Sequence, residues 1–221
     1  MNKLAKKVSK KKKNRDEIVS TENLYHYTNK FEYIKSIIQN GFRVSMCKEN
    51  YYYINSGFSI DVPMVCFTDL PTNINIKHIK RYGNYAIGVT KQWAENNNIA
   101  PILYLRKNSA FTSTIKELYK IAKARNYFMQ NKLLAFCKPF CAKYWQKNSK
   151  RWSKSNRRFY DEREWRYVPQ AFLDNNRNLE FDNLKLNINT DIAEIYIPKN
   201  KQQEAQELRE LGIDESKIKF R

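Results

Sequence analysis

The sequence predicts a single α+β domain built around a split, mixed β-sheet. Strand-length apolar runs interleave with segments of helical period, but without the regular spacing of βαβ units. The chain has 221 residues, 42% hydrophobic and 14% aromatic, enough for one core without disulfides or metal. Only five glycines occur. None lies in GxGxxG or in GxxxxGK followed by Ser or Thr, so neither a Rossmann fingerprint nor a P-loop is present.

Folding is expected to begin near Thr21. Leu24–Thr28 (LYHYT) reads as a short strand. Asn29 can cap a helix whose apolar positions Phe31, Ile34, Ile37 and Ile38 recur at helical spacing, and Gly41 ends it. Val62–Leu70 (VPMVCFTDL) is a near-continuous apolar run, as in a buried strand. Pro71 breaks it, and a helical turn or two follows over Ile74–Tyr82. Tyr85–Val89 is a strand, and Thr90 caps a short helix through Trp93 and Ala94. Ile102–Leu105 is a further strand. From Ser109 the period becomes helical, with a capping-box pattern at Thr114 and Glu117. Ile115, Leu118, Tyr119, Ala122, Met129, Leu133 and Phe136 share one face. One long helix or two short ones fit, and a basic helical insertion is expected around 109–158. Trp165–Val168, Leu184–Ile188 and Ile192–Ile197 are strands. Helix Gln202–Leu211 ends at Gly212, and Lys217–Phe220 is a last strand.

Lys and Arg number 41 against 22 Asp and Glu, a net charge of +19. Such an excess attracts polyanions without dictating a fold. The first 15 positions hold seven Lys and one Arg, so residues 1–20 are expected to form a disordered basic tail. That tail either solubilises the chain or touches nucleic acid nonspecifically. Residues 21–221 form the domain. There is no apolar run of membrane-spanning length and no signal-peptide apolar core, so a cytoplasmic location without membrane contact is expected. Cys47, Cys66, Cys137 and Cys141 read as reduced thiols. The Cys137/Cys141 pair has no His nearby in sequence, so no metal is expected.

Four features could carry chemistry: His26-Tyr27-Thr28, Phe67-Thr68-Asp69, Tyr82 and Tyr85 around Gly83, and Glu162-Arg163-Glu164-Trp165-Arg166. A lone histidine is more often structural than catalytic, and His26 taken alone reads that way. Glu162 and Glu164, two apart on a strand, would share a face. Two carboxylates so placed repel, which proteins accept where the pair is used or where a cation sits between them. Lys143–Arg158 holds seven cations (Lys143, Lys147, Lys150, Arg151, Lys154, Arg157 and Arg158) around Tyr144, Trp145 and Trp152, with no acid. Aromatic faces among cations suit single-stranded nucleic acid, while the bland alternative is a solvated basic face over core tryptophans.

His26-Tyr27-Thr28-Asn29 followed by a helix ending in Gly41-Phe42, then Cys66-Phe67-Thr68-Asp69, Tyr82 or Tyr85, and Glu162-Arg163-Glu164, resembles the ADP-ribosyltransferase fold of poly(ADP-ribose) polymerases and DarT-like toxins. At closer range LYHYTN, VPMVCFTDLP, RYGNYAIGVTKQWA and FYDEREWRYVP resemble the AbiGi family of abortive phage-infection proteins, whose members are often described as antitoxins. The resemblance implies a phage-defence protein with an ADP-ribosyltransferase-like domain that uses NAD. It implies that His26, Tyr27, Thr28, Thr68 and Tyr82 or Tyr85 bind NAD. Glu164 would be the catalytic carboxylate, and Glu162 would orient the acceptor or act as base. A cognate toxin or antitoxin is the implied protein partner. The alternative is a non-catalytic antitoxin or nucleic-acid-binding protein on a degenerate version of that fold.

Overall fold

The computed structural model describes residues 21–70, 72, 76–125, 132–146, 148–174 and 180–221. The expected basic tail, Lys147, Met129 and the start of the helical turns at Ile74 lie outside them. The main sheet takes β1 (Asn23–Thr28), β2 (Ser45–Asn50), β3 (Ser59–Thr68), β4 (Tyr85–Thr90), β5 (Ala100–Pro101), β12 (Glu164–Tyr167), β13 (Ile192–Ile197) and β14 (Ile218–Phe220). Their order is β14-β13-β4-β1-β3-β12-β5, with β2 also paired to β3. β13 and β14 run parallel and the other pairs antiparallel, so the sheet is mixed. β1 and β4 share six register pairs, whereas β1 and β3 share one, Tyr25 with Thr68. The sheet is therefore two halves joined at a single pair.

Helices α1 (Phe31–Asn40), α3 (Lys91–Asn96) and α6 (Gln202–Glu210) supply residues to the largest core cluster, with α2 (Ile76–Tyr82) elsewhere. Phe31, Ile34, Ile37 and Ile38 meet Leu24, Ile87 and Val89, and Ala205 and Leu208 meet Ile195 and Ile197 in the same cluster. This is the helical period of α1 set against the period-2 inward residues of β1, β4 and β13. A second cluster joins Tyr51, Ile54, Leu105 and Cys137 to Ile115 and Tyr119 of α4 (Ala110–Arg125). A short α5 (Gln170–Leu173) follows β12.

Several expectations are corrected. α1 is entered through Lys30 with no side-chain cap, so Asn29 does not cap it. α4 starts at Ala110, where the Thr112 N–H donates to Ser109 Oγ at 3.1 Å. Thr114 Oγ1 donates back to the Ala110 carbonyl inside the helix, so Thr114 and Glu117 do not form its start. Leu118 is 46% exposed, while Ile115, Tyr119 and Ala122 are buried. Leu184–Ile188 is no strand: a single bridge joins Leu184 to Phe42. The basic insertion is helical over α4 and again at 132–135, and from Cys137 its described residues turn to short strands. Past α4 come β7 (Cys137–Pro139), β8 (Cys141–Ala142), β9 (Trp145–Gln146), β10 (Arg151–Trp152) and β11 (Arg157–Arg158), with β6 (Leu103–Leu105) paired to β7. β2 carries no alternating pattern in SMCKEN. It is a strand because all six of its residues pair with β3.

Gly83 joins α2 to β4 at φ +120°, and a Cβ there would lie 2.1 Å from the Thr28 carbonyl oxygen. Backbone cannot swing aside as a side chain can. Gly83→Ala is expected to cost roughly 2–3 kcal/mol through strain at this position; an unchanged melting temperature would contradict it.

Candidate functional site

The site forms where the two half-sheets part. His26 of β1 crosses the gap, its Nδ1–H donating to the Cys66 carbonyl of β3 at 2.9 Å. Burial lowers the His26 pKa despite that bond. The ring is therefore neutral near pH 7, with Nδ1 protonated and Nε2 left as an acceptor. A cavity of about 260 Å³ opens beside it. Its lining includes His26 and Tyr27 of β1, Lys48 of β2, His78 and Tyr82 of α2, Lys138 of β7, Trp145 and Trp152 of the β9–β10 hairpin, Arg157, Glu162 and Glu164.

The cavity floor is a buried ion network. Glu162 closes the 3-10 turn Phe159–Glu162, and Arg163 then takes a left-handed conformation at φ 43° before Glu164 opens β12. Glu162 therefore stands off the strand, unlike the expected same-face pair. The carboxylates nevertheless meet, because Lys138 lies between them, its Nζ 3.2 Å from Glu162 and 2.5 Å from Glu164. The other Glu164 oxygen accepts from Arg166 Nε at 2.6 Å. Arg166 also donates to Glu49 at 3.0 Å and to the Ala135 carbonyl at 2.7 Å. Glu162 Oε1 accepts from the Tyr82 hydroxyl at 2.9 Å and from Arg81 at 3.1 Å, with Arg157 at 3.5 Å. Arg166 is 0% exposed, Glu162 4%, Glu164 5% and Lys138 7%.

Each pKa follows from this packing. Burial works to raise that of Glu164, but Arg166 and Lys138 outweigh it and hold the carboxyl at about 2. Burial works to lower Lys138 and Arg166, and the carboxylates reverse that, so both stay protonated. For Glu49 burial wins over Arg166 and the pKa rises. Burial, and after it the nearby Arg81, push His78 down to about 3. Burial and then Glu162 push the Tyr82 phenol up, so it stays neutral.

The model of one protein family, described as "Putative abortive phage resistance protein AbiGi, antitoxin", matches residues 40–210. The chain belongs to the AbiGi family. A relative from Lactococcus lactis subsp. cremoris, "Abortive phage resistance protein AbiGi", is 30% identical over 127 residues, 49% of this chain and 51% of the relative. The chain thus spans about half the length of the curated AbiGi protein it matches. No solved structure matches.

In this AbiGi-family chain, His26, Tyr27, Tyr82, Lys143, Trp145, Trp152, Arg157, Glu162 and Glu164 line one cavity. Three expected binding residues do not line it. Thr28 is buried opposite Tyr85 in the β1–β4 register. Thr68 is buried, its hydroxyl donating to the Glu162 carbonyl at 2.5 Å, so it holds the turn that carries Glu162. Tyr85 sends its hydroxyl to Glu204 of α6 at 3.1 Å, which leaves Tyr82 as the aromatic at the cavity. The basic stretch divides in the same way. Lys150, Arg151 and Lys154 are exposed away from the lining, and Arg158 pairs with Asp161 on the surface.

Lys138, Glu49, Arg81, His78 and Lys48 went unpredicted. Lys138 left a signal, being the one cation inside the apolar run Leu133–Ala142. A lysine there must find a buried carboxylate or leave the core. Among the described residues no group of three or more His, Cys, Asp or Glu could hold a metal, and the four cysteines are free thiols. No described helix is long and apolar enough to cross a membrane.

Proposed function

We propose that the chain is a phage-defence protein whose cleft binds NAD and transfers its ADP-ribose group from nicotinamide, which leaves, to a nucleic acid or protein acceptor. The observation that carries this reading is the convergence of His26, Tyr82, Glu162 and Glu164 on one cavity, from β1, α2, a 3-10 turn and β12. The fixed tautomer of His26 suits acceptance of a ribose hydroxyl through Nε2. The tilted pair of Tyr82 and His78, with centroids 4.4 Å apart, supplies aromatic surface for a nicotinamide ring. Nicotinamide leaves as a neutral base, and positive charge then grows on the ribose. A carboxylate held ionised at Glu164 opposes that charge with little reorganisation. Release of nicotinamide from NAD by the full chain tests the reading, and an inert chain would end it.

One observation favours a second reading, a non-catalytic antitoxin whose protein partner is a cognate toxin. Every oxygen of Glu162 and Glu164 already accepts from a cation or a hydroxyl. On this reading the exposed cations of residues 143–158 bind single-stranded nucleic acid, and the ion network is structural. Binding then weakens steeply with salt as counterions are released. Replacing Lys150, Arg151 and Lys154 together by Ala should flatten the slope of log K against log salt by roughly 2, at about 0.7 per phosphate contact. An unchanged slope would mean that these cations are only solvation.

A further inference from the structure

The β9–β10 hairpin has two different sides. Trp145 and Trp152 pair with each other across it and line the cavity, with ring centroids 5.4 Å apart at 72°. Arg151 and the following Lys154 are exposed and do not line it. At the cavity wall Lys48 Nζ lies 5.0 Å from the Trp145 ring centre, and the Arg157 guanidinium lies 3.8 Å from that of Tyr144. Lys48 and Lys143 form no ion pair among the described residues, whereas Lys138 on the floor has two. A cation without a carboxylate against a half-buried indole ring, as Lys48 is against Trp145, makes a surface for a group that is both aromatic and anionic.

We infer that this wall is a subsite for one base of a single-stranded nucleic acid. The strand's phosphates lie along the outer cations and at Lys48 and Lys143, and the base turns inward against Trp145 and Trp152. A duplex cannot present a base this way without unstacking it, which costs a few kcal/mol. Single strands are therefore the class recognised. The inference rests on the second reading, in which residues 143–158 bind single strands, and it needs no NAD.

The test is tryptophan-fluorescence titration of the full chain with unstructured DNA and RNA oligonucleotides and with a matched duplex, all without NAD. Single strands should bind and the duplex should bind at least tenfold more weakly. DNA and RNA arms show which sugar is accepted. Trp152→Leu should weaken binding by about 5- to 150-fold at an unchanged salt slope, since stacking contributes roughly 1–3 kcal/mol per base. Trp152→Phe keeps a ring and should recover most of that affinity. Lys48→Ala with Lys143→Ala should flatten the slope instead. Circular dichroism of each variant separates misfolding from lost contact. Equal affinity for duplex and single strand, or wild-type affinity in a folded Trp152→Leu, overturns the inference. Nicotinamide release without oligonucleotide is read separately. Oligonucleotide binding by a chain inert towards NAD would uphold the subsite and end the transferase reading, and the converse result would do the reverse.

Discussion

Lys138→Met is expected to destabilise the chain by about 3–5 kcal/mol, the range seen when one partner of a buried ion pair is removed. Met is close in volume, so packing changes little and the loss is electrostatic. Lys138 Nζ bridges two carboxylates that are 4% and 5% exposed. Without it Glu164 keeps Arg166, and Glu162 keeps Arg81 and Arg157, but each loses its contact with the ammonium group. The two negative charges then face one another across the vacated position. Lys138→Met with Glu162→Gln removes one charge of each sign and should recover part of the loss. Chemical denaturation of the two variants checks this. A single variant within about 0.5 kcal/mol of wild type, the usual range for surface changes, would show that water enters the network.

Much of the fold was legible because its core follows simple periods. Phe31, Ile34, Ile37 and Ile38 repeat as one helix face, and the apolar runs at 62–70 (as far as Thr68), 85–89 and 192–197 form strands of the sheet. What escaped depends on pairing made at a distance. β2 has polar, unpatterned residues and exists through its ladder with β3. β5 is an Ala-Pro pair against β12. Thr114 offered a capping motif, but Ser109 had already started the helix five residues earlier.

The candidate site divides the same way. His26, Tyr82, Glu162 and Glu164 stood out as residue types in motifs, and the fold brings them together. The choice between Tyr82 and Tyr85 was not open to sequence, since it depends on which side of the sheet each ring faces. Lys138 and Glu49 lie on β7 and β2, elements held by contacts far along the chain. Glu162 and Glu164 were readable as a pair that needs a cation. The cation's identity waited on the fold.

Glu164→Gln is expected to change two quantities at once, and their combination decides what the site does. Gln keeps the shape and loses the charge, so Lys138 and Arg166 each lose an anionic acceptor at 2.5 and 2.6 Å. Stability should fall by up to a few kcal/mol, because both cations stay buried. The wild-type advantage has a defined pH range. The Glu164 pKa is about 2 in the folded chain against the ordinary 4.5, so its contribution is complete above about pH 4.5 and is lost as the pH falls toward 2. Between those limits the variant's stability should depend less on pH than wild type's. On the transferase reading, nicotinamide release per folded molecule should fall by roughly 10²–10³-fold, as when one preorganised electrostatic group is removed. On the antitoxin reading the wild type releases none, oligonucleotide binding survives the substitution, and only stability responds. Melting temperature across pH 2–7, with NAD turnover on the same two proteins, separates the outcomes. An active wild type whose Glu164→Gln variant keeps full turnover per folded molecule would remove Glu164 from the chemistry and leave it as the centre of a structural ion network.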